Sequence, residues 1–206
     1  MPEMPEVSES LSPNELEVPV VPEMPVAPVI RRAGVADIPV LADLCAAHAA
    51  FEQAGFDATH FTAGIAAALL PPPQYAGEIT TEQEGQGERC RADPAFASPW
   101  PRLLVYLLFC GKEAAGYLAL SREFSTWRAS DYLHMDCLFV RQAYRGRGLG
   151  RRLFNVALEE VREQGLERLE WQTPDWNDPA IRFYRELGAR GKNKVRFSIS
   201  QAPVSP

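Results

Sequence analysis

The sequence of 206 residues predicts an α/β fold with a mixed central sheet, and three observations indicate it. Short apolar runs alternate with longer segments whose apolar residues recur at helical spacing. The predicted element order is β-α-α-β-β-β-α-β-α-β, which is typical of helices packed on a sheet. The composition, with 46% apolar and 23% charged residues, is that of a soluble globular protein.

The folded domain is predicted to span residues 28–202, after a tail of residues 1–27. The tail holds six prolines, six glutamates and no aromatic residue. Such a segment buries too little apolar area to offset the entropy of ordering it. We therefore predict that the tail is disordered.

The first half of the domain is predicted to be one strand and two helices. Residues 29–32 form a short strand, and residues 37–54 carry apolar side chains at helical spacing. A second helix covers residues 62–70 and stops at three consecutive prolines. Residues 71–101 have a loop-like composition, and no element is assigned there.

The second half begins with two neighbouring strands. Residues 103–109 are a continuous apolar run, as in a central strand, and residues 114–121 return beside it after a glycine turn. Residues 132–140 form the next strand, which leads through a glycine-rich turn into a helix at residues 148–164.

A strand, a helix and a strand complete the predicted order. Residues 166–173 form a strand that stops at a proline, and residues 177–187 form a helix that stops at Gly188. Residues 194–200 alternate between apolar and polar side chains, which predicts a last strand.

The net charge of −6 is carried by the tail. Without its six glutamates, the 27 acidic and 21 basic residues of the chain become 21 of each. The overall balance therefore favours neither nucleic acid nor a membrane surface as a partner, and no apolar run reaches the roughly 18–20 residues of a membrane span. Five arginines nevertheless lie within residues 141–152, which contain no acid.

The cysteines and histidines predict no metal site and a reducing compartment. The four cysteines are far apart without a C-x-x-C pair, and the three histidines form no metal-spaced cluster with them. Reduced thiols are typical of cytoplasmic proteins, and we expect that location.

The segment Arg145-Gly146-Arg147-Gly148-Leu149-Gly150 is the strongest candidate for a ligand site. A strand runs through three alternating glycines into a helix, whose first turn presents unpaired N–H groups and a positive dipole end. This arrangement suits a pyrophosphate. Its spacing differs from that of dinucleotide-binding and P-loop motifs. Taken alone, the segment is equally compatible with a helix start that has a solvated basic face.

Two motifs resemble the GNAT superfamily of N-acetyltransferases. Arg145-x-x-Gly148-x-Gly150 after an apolar strand resembles its acetyl-CoA motif, and residues 176–189 resemble its second motif, N-x-x-A-x-x-F-Y-x-x-x-G-A. The match covers about residues 29–200, and the likeness is greatest to diamine (spermidine/spermine-type) and thialysine acetyltransferases. The resemblance implies a sheet with two strands that splay apart and with helices on both faces.

The resemblance also implies a role for each matched residue. The backbone of Leu138 and Val140 would pair with the pantetheine arm of acetyl-CoA, and backbone N–H groups of residues 146–151 would hold the pyrophosphate. Asn177 would bind near the pantetheine, and Tyr184 would protonate the leaving thiolate. The residues assigned to the co-substrate are Leu138, Phe139, Val140, Arg145, Gly146, Arg147, Gly148, Leu149, Gly150, Arg151, Asn177, Ala180 and Tyr184.

Two carboxylates are candidates for the group that takes the proton of the acceptor amine. Asp136 lies two residues before Leu138 and shares its face of the strand unless a bulge intervenes. Glu52 lies near the end of the first helix. A structural role remains open for each. Polyamine enzymes tend to have Glu-Asp where this chain has Asp136-Cys137, so one acid is missing here.

The predicted function is therefore transfer of an acetyl group from acetyl-CoA to a primary amine of a small molecule such as a diamine or polyamine, with Tyr184, Asp136 and Glu52 as catalytic residues. Two alternatives stay open, a protein or peptide N-acetyltransferase and a non-catalytic acetyl-CoA-binding module. A homodimer, as many related enzymes form, is also left open.

Overall fold

The computed structural model describes residues 27–70 and 101–199 of the chain. The predicted disordered tail and nearly all of the loop-like segment 71–101 lie outside the described residues. No helix within the described ranges is long and apolar enough to cross a membrane. The same ranges hold no group of three or more side chains that could ligate a metal ion.

The described residues form five strands and four α-helices, in the predicted order apart from the last strand. The strands are β1 (Val29–Arg32), β2 (Leu104–Cys110), β3 (Glu113–Ser125), β4 (Ser130–Val140) and β5 (Leu169–Trp171). The helices are α1 (Ile38–Phe51), α2 (Ala58–Leu69), α3 (Leu149–Glu163) and α4 (Asp178–Glu186). The predicted α/β class is confirmed.

The sheet is mixed, as predicted. Its strand order is β1-β2-β3-β4-β5, with antiparallel pairing throughout except that β5 runs parallel to β4. The β4–β5 ladder covers only Leu133 to Met135 on β4, although β4 continues to Val140. Residues 136–140 of β4 thus extend beyond β5, and this edge, on the side away from β3, is called the open edge below.

Helices cover both faces of the sheet, which gives two core clusters. One cluster joins the sheet to α3 through Leu149, Leu153 and Ala157, with Phe183 and Tyr184 of α4 packed at its margin. The other joins the opposite face to α1 through Leu41 and Leu44, with side chains of α2 packed against it. Side chains that alternate along β2, β3 and β4 supply both clusters, which explains why these strands are apolar on both faces.

β4 contains a β-bulge, which decides whether Asp136 and Leu138 share a face of the strand. Cys137 pairs with Ala119, but Met135 pairs with Leu120, so Asp136 is an extra residue in the ladder. Leu138 belongs to the cluster under α3, whereas Cys137 belongs to the cluster under α1. Asp136 is expected to share a face with Leu138 unless a bulge intervenes, and the bulge found here is that exception.

Within the described residues, the structure does not contain the last predicted strand. Residues 194–199 have no regular secondary structure, and Ser200 lies outside the described range. Val195, Phe197 and Ile199 are 77%, 89% and 94% exposed. Alternation predicts a strand only where a neighbouring face buries the apolar side chains, and these three pack on no face of the described domain.

Candidate active site

The open edge of β4 presents backbone groups to the space beyond β5. The carbonyl oxygen of Val140 accepts a hydrogen bond from Nε of Arg145 at 2.9 Å, so it points away from β3. The N–H and C=O of one strand residue point to the same side, and residues two apart repeat that direction. Val140 and Leu138 therefore both offer backbone groups at the open edge, as the pantetheine assignment requires.

The glycine loop continues from this edge into α3. Gly146 and Gly148 have φ of 75° and 72°, in the left-handed region that favours glycine, and Gly148 is the N-cap of α3. The N–H of Arg152 is bonded to the carbonyl of Gly148 at 3.2 Å. The N–H groups of the preceding first turn have no intrahelical acceptor, so they are available to an anion beside the open edge.

Arg145 lies at the junction between the loop and the open edge. Its guanidinium lies 4.3 Å from the centre of the Phe51 ring and 5.9 Å from that of Phe139, while its Nε bonds to Val140. The side chain thus reaches back towards the end of α1 rather than along the glycine loop. In this position Arg145 borders the cleft beyond β5, whereas Arg147 lies over the ring of Tyr144.

Aromatic rings line the cleft where α1 ends. The Phe51 ring is 6.1 Å from that of Trp176, in the segment between β5 and α4, and 6.5 Å from that of Phe139 on β4. Trp176 is 53% exposed although it makes this contact. The end of α1 and the segment before α4 therefore form two walls of one cleft.

Tyr184 lies on α4 among other aromatic rings. Its ring centre is 4.9 Å from that of Trp171, 5.2 Å from that of Phe183 and 6.2 Å from that of Phe154. Burial, with smaller contributions from Cys137 and Glu52, raises its pKa to about 12. The hydroxyl is consequently protonated at neutral pH, as a proton donor must be.

Asn177 begins the helix that carries Tyr184. It is buried, and its Oδ1 accepts a hydrogen bond from the N–H of Ala180 at 3.3 Å. This is an N-cap, which explains locally why α4 starts at Asp178. The side-chain oxygen of Asn177 thus has a structural role, and its contact with the pantetheine stays a prediction, as does that of Ala180.

The two candidate carboxylates lie on opposite walls of the region around His48. Glu52 follows the last residue of α1, and its Oε1 is 3.4 Å from Nε2 of His48. Asp136 sits at the bulge of β4, where its Oδ2 accepts a hydrogen bond from the Cys137 thiol at 3.5 Å. Both carboxylates raise the pKa of His48, and Glu52 also raises that of Tyr184. Glu52 therefore interacts electrostatically with both His48 and Tyr184, whereas Asp136 interacts with His48.

His48 is the participant that sequence reasoning missed. Its ring stacks on Phe139 at 4.8 Å with 20° between the planes, and its Nδ1 is 2.9 Å from the hydroxyl of Tyr117 on β3. Burial lowers the pKa of His48, an effect that Glu52 and Asp136 oppose and Arg145 reinforces. A titratable side chain on the buried face of α1, four residues before Glu52, was the signal available in the sequence.

The thiol of Cys137, next to Asp136 on β4, is a poor candidate for an acyl-carrying nucleophile. It is half-buried, and burial, with a further contribution from Asp136, raises the pKa of its thiol to about 12. A thiol with this pKa is almost entirely protonated at neutral pH and is a poor nucleophile. The chemistry of Cys137 is therefore consistent with direct transfer to an acceptor.

Comparisons with known proteins agree with the fold. Residues 73–189 match the family model described as acetyltransferase (GNAT) family. An aminoglycoside acetyltransferase from an uncultured soil metagenomic sample superposes with a TM-score of 0.60 at 16% identity, over 85% of this chain and 97% of that one. At this identity the structural similarity shows the fold alone.

Two curated relatives are similar in sequence. Thialysine N-epsilon-acetyltransferase of Caenorhabditis elegans is 40% identical over 79 residues, which are 38% of this chain and 49% of that protein. L-ornithine N5-acetyltransferase of Arabidopsis thaliana is 30% identical over 76 residues, which are 37% of this chain and 33% of that protein. The chain matches half or less of the length of these two relatives. The expected resemblance to thialysine acetyltransferases is confirmed.

Proposed function

The chain belongs to the acetyltransferase (GNAT) family, and from this premise we propose that it transfers the acetyl group of acetyl-CoA to a primary amine of a small molecule. The proposal rests on one observation, which is that three groups of residues lie close together at the open edge of β4. These are the outward-facing backbone of Leu138 and Val140, the unpaired N–H groups at the start of α3, and a protonated Tyr184 near Glu52.

The backbone hydrogen-bonding groups at the open edge match the polar groups of acetyl-CoA. Strand backbone at Leu138 and Val140 can hydrogen-bond the amide groups of a pantetheine arm, and the first turn of α3 suits a pyrophosphate. Arg147 and Arg151 flank that turn and add positive charge. A pantetheine amide at Val140 would compete with Arg145 for the carbonyl oxygen. The Arg145 side chain would then be free to turn towards the phosphates.

The mechanism we propose is direct attack in a ternary complex. The acceptor amine loses a proton to Glu52 or Asp136, and the neutral nitrogen forms a bond to the thioester carbon. The backbone N–H of Val140 polarises the thioester carbonyl as an oxyanion donor. The carbon–sulfur bond then breaks, and Tyr184 donates its proton to the departing thiolate while the attacking nitrogen gives up its second proton to the Tyr184 phenolate, which leaves a neutral amide. Acetyl-CoA and amine become CoA and the N-acetyl product.

A compact amine fits the site better than a long polycation. The names of the two relatives, thialysine and L-ornithine acetyltransferases, point to small diamino acids as their acceptors. The cleft wall of Phe51 and Trp176 is aromatic, and Arg145 adds a positive charge there. From the names of these relatives, we propose a short diamine or a diamino acid as the acceptor.

We further propose a cytoplasmic homodimer. The cytoplasmic location is inferred from the wide spacing of the cysteines, and the dimer is supported by the exposed apolar side chains of Val195, Phe197 and Ile199. A partner copy that covers these side chains would remove their apolar surface from water. Sedimentation velocity would test the dimer, and a concentration-independent monomer would contradict it.

The test of the proposed function is a thiol-release assay with acetyl-CoA and a panel of acceptors. The panel contains short diamines, diamino acids, polyamines, aminoglycosides and peptides with free N-termini or lysines. Turnover of a diamine or diamino acid, with the N-acetyl product identified by mass spectrometry, is the expected result. Turnover of peptides alone would replace the proposal by the protein-acetylating alternative. CoA binding without any turnover would indicate a non-catalytic binding module.

A further inference from the structure

His48 lies at the centre of the acceptor side of the cleft, and groups from four parts of the fold face it. Glu52 comes from α1, Tyr117 from β3, Phe139 and Asp136 from β4, and Arg145 from the glycine loop. The side chain of His48 is only 15% exposed. A side chain that is so enclosed and makes two polar contacts has a defined orientation.

The direction of the hydrogen bonds around His48 follows from Tyr117. This phenol is buried, and burial raises its pKa, so its hydroxyl keeps a proton to donate. The neighbouring thiols of Cys45 and Cys137 are weak acceptors, whereas an unprotonated imidazole nitrogen is a good one. A hydroxyl that donates to Nδ1 of His48, 2.9 Å away, leaves the ring proton on Nε2, which lies 3.4 Å from Oε1 of Glu52.

We propose that His48 is a positioning residue which, held by Tyr117, binds one carboxylate oxygen of Glu52 and leaves the other directed at the acceptor amine. The proposal rests on the proposed function, because Glu52 needs this orientation only if it receives an ammonium group. It assigns the proton-accepting carboxylate, which the sequence left open between Glu52 and Asp136, to Glu52. His48 itself does not touch the acceptor.

The charge state of His48 is part of this role. A neutral imidazole donates to Glu52 without adding a cation beside the ammonium group that the cleft must accept. Burial favours the neutral form and lowers the pKa of His48, although Glu52 and Asp136 counteract the shift. As the pH falls through this pKa, the imidazolium would repel the acceptor. We expect an acidic limb in kcat/KM for the amine, with no matching change in KM for acetyl-CoA.

Nuclear magnetic resonance of the ring nitrogens tests the geometry without reference to activity. In protein labelled with ¹⁵N at histidine, His48 is expected as the Nε2–H tautomer at pH 7.5. Glu52→Gln should lower its pKa, because a negative charge that favours the imidazolium is lost. Tyr117→Phe should allow the Nδ1–H tautomer to appear. A wild-type His48 in the Nδ1–H form, or a pKa that Glu52→Gln leaves unchanged, would overturn the proposal.

Kinetics of three variants test whether His48 affects turnover of the amine. His48→Leu removes the donor to Glu52, and we expect kcat/KM for the amine to fall about tenfold, as for a lost hydrogen bond to a charged group. His48→Gln keeps an amide donor near Nε2 and should recover most of the rate while the acidic limb moves to lower pH. His60→Leu is the matched control, because this exposed histidine pairs with Asp57 at 2.7 Å on α2. It should behave as the wild type.

The outcomes separate this proposal from the proposed function. If the wild type acetylates no amine in the panel, the proposed function fails, while the tautomer and the effect of Glu52→Gln still decide whether His48 binds Glu52. If the wild type is active but His48→Leu keeps full kcat/KM and the same acidic limb, the positioning role is refuted and the function stands. Should His48→Leu unfold, His48→Gln and Tyr117→Phe give the same decision.

Discussion

Replacing Tyr184 by phenylalanine removes the hydroxyl that the proposed reaction uses as an acid and leaves its packing in place. The ring contacts with Trp171 at 4.9 Å and with Phe154 at 6.2 Å do not involve the hydroxyl. The variant should therefore fold as the wild type does, with an unchanged thermal midpoint. Any loss of rate then reports on proton transfer rather than on the shape of the cleft.

The expected loss follows from the role of Tyr184 as a general acid. Burial raises the pKa of Tyr184 to about 12, so the hydroxyl holds its proton at neutral pH until the thiolate departs. General acids typically contribute about 10²–10⁴-fold to a rate. We expect kcat of Tyr184→Phe to fall at least about 100-fold.

The assay is thiol release at saturating acetyl-CoA with the best acceptor of the panel. The KM for acetyl-CoA should stay unchanged, because the hydroxyl acts on the leaving group and not on the bound co-substrate. Tyr132→Phe is the matched control, since this hydroxyl donates to Glu123 at 2.5 Å in the β3–β4 hairpin, away from the open edge. Full turnover by Tyr184→Phe would refute the reasoning and remove Tyr184 from the mechanism.

Three further predictions concern the loop, the carboxylates and acid stability. Gly148→Ala places a side chain at φ 72° with open space around its Cβ, so we expect a cost of about 1–2 kcal/mol from backbone strain, a thermal midpoint lower by several degrees and weaker CoA binding. Gly34→Ala, at φ −119°, should change neither the thermal midpoint nor CoA binding. Glu52→Gln should lower kcat/KM for the amine more than Asp136→Asn does, and Asp43→Asn, which only weakens a surface pair with Arg141, should not lower it. Equal losses for both carboxylates would contradict the assignment to Glu52. For Asp37, Arg31 holds the pKa at about 2, below the ordinary 3.8, so its stabilisation is present above pH 4 and is lost as the pH falls towards 2. The difference in thermal midpoint between wild type and Asp37→Asn should therefore shrink over that interval, and a constant difference would contradict the pairing.

Sequence patterns were sufficient for the elements whose signal is local. The apolar run of β2, the caps of α4 and the glycines at residues 146 and 148 depend on residues a few positions apart, and the structure has each of them. Leu138, Val140 and Tyr184 belong to the two short motifs that resemble the family. The sequence could therefore suggest these residues as contacts of the co-substrate.

The acceptor side could not be predicted because it depends on pairs that are distant in sequence. The register shift at Asp136 is set by how β4 pairs with Ala119 and Leu120 of β3. The partner of His48 is Tyr117, which is 69 residues away. The last strand failed for a related reason, since the alternation of Val195, Phe197 and Ile199 does not specify which face would cover it. Local periodicity is therefore a weaker guide to this half of the site.

The bulge of β4 means that Asp136 has no partner of its own on β3. If Asp136 were deleted, Met135 and Cys137 would become neighbours and would still point to opposite faces, as they do now. Each other side chain of β4 would keep its own face and its own partner on β3. A single-residue deletion is normally among the most damaging changes to a central strand. Here it would leave a regular ladder that lacks only one acidic group, so the sheet can gain or lose this carboxylate without rebuilding its core.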